Sequence, residues 1–304
     1  MSAKSAKDLS LAGSVITVGT FDGIHVGHQA LVARCVARAR ALELPAIAYT
    51  FDPHPAQILA PAKAPVLLSS IEERIRVFRS LGIDRVVTEL FDRAFADVTA
   101  DAWIEQYIVA PLAPRAVIVG FNFSYGKARG GDPAHLQAAG KRLGFDVEVV
   151  GPVELDGEVV SSTRIRRLLA EGDVTRAARL LGRPFALTGK VVEGDRRGRT
   201  LGFPTANLAP DLEIMPSNGV YAAWAVLPGE ARVPAVVNVG RRPTFGGGEV
   251  RAEAFLIDFS CDIYGQRLRL ELIGRVRDER RFDGLDALKA QIARDVESAR
   301  DLLK

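Results

Sequence analysis

The sequence predicts an α/β protein of two domains: a parallel sheet flanked by helices, then a small antiparallel barrel or sandwich closed by a helix. In the first half, short β-branched runs alternate with amphipathic helical stretches, a pattern typical of parallel sheets covered on both faces. In the second half, strand-like segments follow one another without intervening helices. The length of 304 residues agrees with two domains of ordinary size.

Each element of the first half has its own signal. A β-branched run at residues 14–19 ends on glycine and predicts a buried strand, and apolar residues at helical spacing predict a helix from about residue 28 to 42. Ser70 and Glu73 form a capping box that begins another helix, which Gly82 ends. Further strands are predicted at 46–51, 85–87, 116–120 and 147–150, with a helix around 103–109.

The second half begins with two short helices, at about 162–171 and 174–181, that end at Gly172 and Gly182. Pro184 follows, and we place the domain boundary there, which gives domains of residues 1–183 and 184–304. A helix with an apolar stripe closes the chain after residue 284. Strands are predicted at 186–192, 220–227, 233–239, 251–259 and 267–273.

Composition excludes several classes of protein. No apolar run approaches the ~20 residues of a membrane span, and no apolar targeting segment follows the polar N-terminus, so we expect a cytoplasmic protein without a membrane partner. Cys35 and Cys261 are the only cysteines and lie far apart, which argues against a disulfide framework or a zinc cluster. The net charge of +3 is too small to indicate a nucleic-acid partner, and the sequence leaves the oligomeric state open.

The most informative segment is Gly-Thr-Phe-Asp-Gly-Ile-His-Val-Gly-His at residues 19–28, between the first strand and the first helix. His25 and His28 would share one face of the first helical turn, beside the free N–H groups that attract phosphate. We interpret the segment as a phosphate site. The alternative is a glycine-rich connection with two surface histidines.

A second segment, Ser-Ser-Thr-Arg-Ile-Arg-Arg at 161–167, would cap its helix with a hydroxyl. Arg164 and Arg167 would then share an outward face suited to polyphosphate. Taken alone, the segment is more typical of a capped surface helix with solvated arginines. Its occurrence together with the histidine motif favours the phosphate interpretation.

Residues 120–128 come close to the P-loop pattern, but five residues rather than four separate the glycines and Ala128 replaces the required Ser or Thr. We therefore reject a P-loop. The segment still follows a strand and carries Asn122, Phe123 and Tyr125, which suit an aromatic ring.

Residues 194–207 combine glycines, arginines and Pro-Thr-Ala-Asn. This pattern indicates a flexible loop that wraps polyphosphate and ends in Thr205 and Asn207, whose oxygens could meet Mg²⁺. The alternative is a basic hairpin loop.

In the strand predicted at 251–259, alternation places Glu253 on the face of Phe255, Ile257 and Phe259. Burying a carboxylate on an apolar face costs free energy unless it is paired, so such a residue is either paired or has a function, for example as a general base. The alternative is a strand-end glutamate that reaches solvent or pairs with an arginine.

Together these motifs resemble a known family. The histidine motif, Phe-Asp-Pro-His-Pro at 51–55 and Ser-Ser-Thr-Arg-Ile-Arg at 161–166 resemble the N-terminal module of bacterial bifunctional riboflavin kinase/FAD synthetases, a Rossmann-like nucleotidyltransferase domain. Residues 186–304 resemble the riboflavin kinase module, which implies a six-stranded antiparallel β-barrel with a C-terminal helix. The marks of that module include residues 189–194, 201–207, 219–221, 238–240, 243–245 and 258–265.

The resemblance implies that ATP phosphorylates riboflavin to FMN and that ATP then adenylylates FMN to FAD with release of pyrophosphate. For adenylylation it implies catalytic roles for His28 and Arg166. The implied ATP contacts of this module are Gly19, Phe21, Asp22, His25, His28, Ser162 and Arg166. The implied flavin site comprises Phe51, Pro53, His54, Asn122, Phe123 and Tyr125.

For the kinase, the resemblance implies Glu253 as general base and Thr205 and Asn207 as residues that organise Mg²⁺. The implied ATP contacts are Gly194, Gly202, Thr205 and Asn207. Two departures are visible: Phe255 stands where family members often carry His, and Asn122 where many carry Asp.

Three other functions have less support in the sequence. A nucleotidyltransferase for another phosphate acceptor, with the barrel as an accessory, is disfavoured by Pro-Thr-Ala-Asn together with Glu253. A nucleotide- or flavin-binding regulator without catalysis is disfavoured because both charged constellations are intact. An RNA-binding protein of synthetase descent would need a basic face with many aromatics, whereas aromatic residues make up 7% of the chain.

Overall fold

The computed structural model of the chain describes residues 2–193, 203–229, 231–241 and 250–304. The chain divides into two compact units, Met1–Ser161 and Ser162–Lys304. The two helices predicted at 162–181 group with the second unit.

The first unit contains a parallel sheet covered by helices. Its strands are β1 (Ser2–Ala3), β2 (Ser14–Val18), β3 (Ala46–Asp52), β4 (Arg85–Leu90), β5 (Pro114–Gly120) and β6 (Asp146–Val150), and β7 (Glu154–Leu155) and β8 (Glu158–Val159) form a small hairpin. Its helices are α1 (Val26–Ala41), α2 (Pro55–Leu59), α3 (Ile71–Ser80), α4 (Arg93–Ala96), α5 (Ala100–Trp103), α6 (Ala110–Leu112) and α7 (Pro133–Leu143). Shorter 3₁₀ turns lie at Ala6–Asp8, Pro61–Lys63 and Lys127–Arg129, and a π-helical segment, Ile104–Val109, joins α5 to α6.

The strands pair in parallel in the order β1-β4-β3-β2-β5-β6, which confirms the predicted α/β architecture. Every residue of β2 is buried. Apolar cores cover both faces of the sheet, one around Tyr49 and Trp103 and the other around Val32 and Phe78. Because β2 lies between β3 and β5, the direction of winding reverses there, and such a switch point leaves a ligand crevice at the carboxyl ends of the strands.

The second unit is a barrel preceded by two helices and followed by one. Helices α8 (Ser162–Glu171) and α9 (Val174–Leu181) come first, and α10 (Leu285–Leu302) comes last. Between them, antiparallel strands close in the order β10-β13-β12-β11-β14-β9. Their bounds are β9 (Phe185–Val192), β10 (Thr205–Pro210), β11 (Gly219–Val226), β12 (Arg232–Arg241), β13 (Val250–Leu256) and β14 (Arg267–Arg277).

Alternate residues of the barrel strands face its interior and its outer surface. Small residues such as Ala235, Ala252 and Ala254 are fully buried and face the interior. On the outer face, α10 packs Val296 and Ala299 into a cluster with Val220, Ala222 and Val236. Alternation along β13 therefore places Glu253 on the outer face of the barrel.

Two predictions about this unit are wrong in part. The loop predicted at 194–207 lies outside the described residues as far as residue 202, and its last residues, 205–207, begin β10, which pairs with both β9 and β13. The strand predicted at 251–259 ends at Leu256, and Asp258 then adopts a left-handed φ of 57°. Ile257 and Phe259 therefore do not continue the strand face that carries Glu253 and Phe255.

Candidate active sites

Three predicted site segments of the first unit follow neighbouring strands. Residues 19–28 follow β2, residues 51–55 span the end of β3, and residues 121–125 follow β5. Because the strands are parallel, their carboxyl ends lie at one edge of the sheet. The structure therefore brings the histidine motif and both flavin segments of this unit to one edge.

The histidine motif begins with a strained turn. Phe21 and Ile24 adopt left-handed φ values of 51° and 40°, and Gly23 between them has a φ of 83°. Side chains other than glycine adopt such values only where the surroundings enforce them. Phe21 and Ile24 are fully buried, and their packing holds the turn in place.

The two histidines stack at the start of α1. His25 is the N-cap residue, and its Nδ1 accepts the backbone N–H of His28 at 3.3 Å. The ring centroids lie 3.7 Å apart with the planes within 14°. A neutral imidazole that accepts at Nδ1 carries its proton on Nε2. The N-terminus of a 16-residue helix beside a donor of this kind suits phosphate.

Asp22, an expected ATP contact, has backbone partners. Its Oδ1 accepts the N–H groups of Leu68 at 2.9 Å and Ser69 at 3.2 Å, and the side chain is 3% exposed. The Ser69 hydroxyl in turn accepts the N–H of Gly23 at 2.9 Å. In this geometry Asp22 fixes the shape of the motif.

The segment after β3 combines a buried ring with a polar cap. Phe51 is buried and packs against Tyr49, Phe91 and Phe95. His54 caps α2, where its Nδ1 accepts the N–H of Ala56 at 3.1 Å. Of the predicted flavin residues in this segment, Pro53 and His54 are partly accessible, whereas Phe51 supports them from the core.

The segment after β5 also contains both buried and accessible residues. Tyr125 is buried, stacks on Phe123 with centroids 5.2 Å apart and bonds His135 Nδ1 through its hydroxyl at 2.8 Å. Burial raises the pKa of Tyr125, so its hydroxyl stays protonated. Asn122 is exposed, and so is Phe121, with 49% of its surface accessible. Sequence reasoning gave Phe121 no role, and the structure places this half-exposed ring directly after β5, next to Asn122.

In the second unit, Ser162 begins α8 and Arg166 lies one turn later, both partly exposed. The prediction that Arg164 and Arg167 share an outward face is wrong for Arg164, which is 7% exposed. Arg164 lies one turn before Leu168 on the apolar stripe of the helix, so it is buried with that stripe.

The barrel aligns three polar residues across adjacent strands. Glu253 on β13 is the direct neighbour of Asn207 on β10 and of Asn238 on β12. Directly opposite residues of antiparallel strands point to the same face, with Cβ atoms about 5 Å apart. The structure thus brings together Asn207 and Glu253, which the sequence placed more than forty positions apart, and adds Asn238.

Asn207 has the properties of a metal ligand. It is 5% exposed, and its Oδ1 has no hydrogen-bond partner among the described residues. An amide oxygen beside a carboxylate suits Mg²⁺, which binds one or two protein oxygens and otherwise water and phosphate. Within the described ranges, no cluster of three or more His, Cys, Asp or Glu could hold a metal alone.

A cavity of about 340 Å³ opens beside the start of β10. Its walls come from Val191, Leu256 and residues 204–206 and 259–264. Thr205 lies two positions before Asn207 on β10, but none of the three polar residues of the row lines the cavity. The predicted ATP contacts Gly194 and Gly202, and residues 243–245 of the family marks, lie outside the described residues.

Comparison with known proteins matches both halves of the chain. The family model for FAD synthetase matches residues 7–164, and that for riboflavin kinase matches residues 181–303. The bifunctional riboflavin kinase/FMN adenylyltransferase of Escherichia coli K12 is 41% identical over 95% of this chain and 92% of its own length. The protein of the same description from Haemophilus influenzae is 39% identical over 95% of this chain and 94% of its own length.

A crystal structure also has the same fold over nearly the whole chain. It is described as a macrolide-efflux protein from Streptococcus pneumoniae and is 33% identical, with a TM-score of 0.87 over 99% of this chain and 98% of that one. Within the part of our chain that the structure describes, no helix has the length and apolar character to cross a membrane.

Proposed function

Because the chain belongs to the family of bifunctional riboflavin kinase/FMN adenylyltransferases, we propose that residues 1–183 adenylylate FMN and residues 184–304 phosphorylate riboflavin. Riboflavin kinase and FMN adenylyltransferase are the two activities of this chain, with ATP, riboflavin, FMN and FAD as substrates and products. The FAD synthetase model matches the first half of the chain and the riboflavin kinase model the second half, in the order of this assignment.

The cap of α1 supports the first assignment. A phosphate oxygen of FMN attacks the α-phosphorus of ATP, the bond from that phosphorus to the β-phosphate breaks, and pyrophosphate leaves. Such a transfer needs alignment and stabilisation of charge rather than a protein nucleophile. His25 Nε2–H, His28 and the N–H groups of the first helical turn would bind the departing phosphates. For Ser162 and Arg166, contact with ATP remains a prediction from their sequence motif.

The accessible residues after β3 and β5 would hold the flavin. His54 and Asn122 offer polar groups, and Phe121 offers a ring face, whereas Phe51, Phe123 and Tyr125 would support that surface from the core. Phe121 is the large aromatic at this edge that packing leaves half exposed.

Phe121→Ala is expected to raise the KM for FMN about tenfold, since aromatic stacking on a base or flavin contributes about 1–3 kcal/mol. Steady-state adenylylation at saturating ATP measures the effect. Phe121→Tyr keeps the ring and should retain the wild-type KM, and Leu90→Ala, at an exposed residue ending β4, is the matched control. An unchanged KM in Phe121→Ala would remove Phe121 from the flavin site.

The polar row of the barrel supports the kinase assignment. Glu253 would take the proton of the terminal ribityl hydroxyl of riboflavin, whose oxygen attacks the γ-phosphorus of ATP while ADP leaves. Asn207 and Thr205 would hold Mg²⁺ at the phosphates, where the cation neutralises negative charge when bound. The cavity beside Thr205, with its mixed apolar and polar walls, would take the adenosine of ATP.

Asn207→Ala is expected to raise the Mg²⁺ concentration for half-maximal kinase rate about tenfold, because one oxygen ligand is lost. Titration of kinase activity with MgCl₂ measures this shift. Asn207→Asp restores an oxygen and should bring the midpoint back towards that of the wild type. If Asn207→Ala lowered kcat without moving the Mg²⁺ midpoint, the residue would have another role.

Incubation of the chain with riboflavin, ATP and MgCl₂ tests the activities together. Chromatography should show FMN first and FAD later, with ADP and pyrophosphate as co-products. Absence of both flavin products would contradict the proposal. We further propose that the enzyme works in the cytoplasm without a nucleic-acid or membrane partner, which the free thiols of Cys35 and Cys261 support.

A further inference from the structure

Arg74 is a buried cation behind the edge of the sheet where the histidine motif lies. It belongs to the first turn of α3, which reads Ile-Glu-Glu-Arg, and is 2% exposed. It lies on the same buried face as Val77 and Phe78, one turn later. An apolar side chain would fill that position without the cost of burying a charge.

The guanidinium bonds to two different site segments. Its Nη1 donates to the carbonyl oxygen of Thr20 at 3.0 Å, within the histidine motif. The same nitrogen lies 3.1 Å from the carbonyl oxygen of Phe51, at the start of the segment after β3. It also lies 3.1 Å from the hydroxyl of Thr50, which itself donates to Thr20 at 3.1 Å. One side chain thus ties the ATP segment to the flavin segment.

The surrounding charges keep this cation in place. Burial lowers the pKa of Arg74, while Asp22, Asp52 and Glu72 act in the opposite direction. An arginine remains charged in proteins, so the group adds a fixed positive charge behind the phosphate segment. Asp22 is held by the backbone just before α3, so α3 and its approach contact the histidine motif at two points.

We propose that Arg74 is a positioning residue for adenylylation, which sets the spacing between the ATP segment after β2 and the flavin segment after β3. The proposal rests on the assignment of FMN adenylylation to this unit. Loss of the side chain would let the two segments move apart, and misplacement of reactants by about 1 Å can cost about 10²-fold in rate.

The test compares Arg74→Met, Arg74→Lys and the control Arg79→Met, an exposed arginine on the same helix, all in the full chain. In Arg74→Met we expect the KM values for both ATP and FMN to rise and kcat/KM for adenylylation to fall about 10²-fold. Kinase constants in the same samples should stay at wild-type values. Arg74→Lys keeps the charge but loses the planar guanidinium. Its kcat/KM for adenylylation should lie between those of Arg74→Met and Arg79→Met.

A merely structural role gives a different pattern. In that case kcat would fall in proportion to the folded fraction, measured by near-ultraviolet circular dichroism, while both KM values stayed unchanged. That result would overturn the proposal, as would a rise in the KM of only one substrate. If Arg74→Met does not fold, the same comparison is made with Arg74→Lys. Failure of the wild-type chain to make FAD from FMN would instead contradict the function assigned to the unit.

Discussion

Glu253→Gln should abolish formation of FMN from riboflavin while leaving formation of FAD from added FMN unchanged. The amide keeps the size of the side chain but cannot accept the hydroxyl proton of riboflavin, and loss of a general base costs about 10²–10⁴-fold in rate. Glu253 lies beside Asn207 and Asn238 on the outer face of the barrel, so the substitution leaves the buried interior intact. ADP release with riboflavin, and FAD release with FMN, are measured on one preparation.

Glu213→Gln, at an exposed glutamate of the same unit, is the control for the loss of a charge. Two results would contradict the role of Glu253. Either kinase activity persists in Glu253→Gln within a few-fold of wild type, or both activities fall together in protein that remains folded.

His28→Ala should give the reverse pattern, with adenylylation reduced about 10²-fold or more and phosphorylation of riboflavin retained. The expected size is that of losing one donor to developing charge. Because His28 also stacks on His25, a second variant is needed to separate binding from packing. His28→Phe keeps an aromatic ring for the stack but removes its hydrogen-bond donors, so it should be as inactive as His28→Ala.

Arg34→Ala, on an exposed side of α1, is the control for changes to this helix. Recovery of adenylylation in His28→Phe would mean that the stack, rather than a donor, matters at this position. Retention of adenylylation in both His28 variants would contradict the phosphate site at the start of α1.

Local signals in the sequence were sufficient for most of the first unit. Glycines, β-branched runs and helical spacing predicted β2, α1 and the parallel sheet, which are confirmed. The capping box of α3 is confirmed only for Ser70, whose hydroxyl accepts the N–H of Glu73, because the Glu73 carboxylate pairs with Arg76. The residue pattern was enough to predict that a helix or strand forms. The ion-pair partners of its charged side chains depend on neighbouring residues in the folded structure.

The barrel was harder to predict for two physical reasons. Strand β10 follows a glycine- and arginine-rich stretch that is typical of a loop, so its pairing with β9 and β13 was not visible locally. On β13 the interior-facing positions are Ala252, Ala254 and Leu256, whereas the large Phe255 is on the outer face, so side-chain size alone does not mark the buried face. Alternation nevertheless placed Glu253 correctly with Phe255.

Arg74 shows what a pattern of residue types misses. A charged residue in the first turn of a capped helix is ordinarily solvated, yet its spacing to Val77 and Phe78 places it on the buried face. Its acceptors are backbone carbonyls of two other segments, which no sequence motif encodes.

The most direct test of two separate sites mixes Glu253→Gln and His28→Ala protein with riboflavin, ATP and MgCl₂. His28→Ala makes FMN, and Glu253→Gln adenylylates FMN taken from solution, so the mixture should produce FAD much faster than either variant does alone. One contradicting result is a mixture that accumulates FMN without FAD, although Glu253→Gln converts the same concentration of added FMN in a control reaction. The other is a single variant that makes FAD from riboflavin at the wild-type rate.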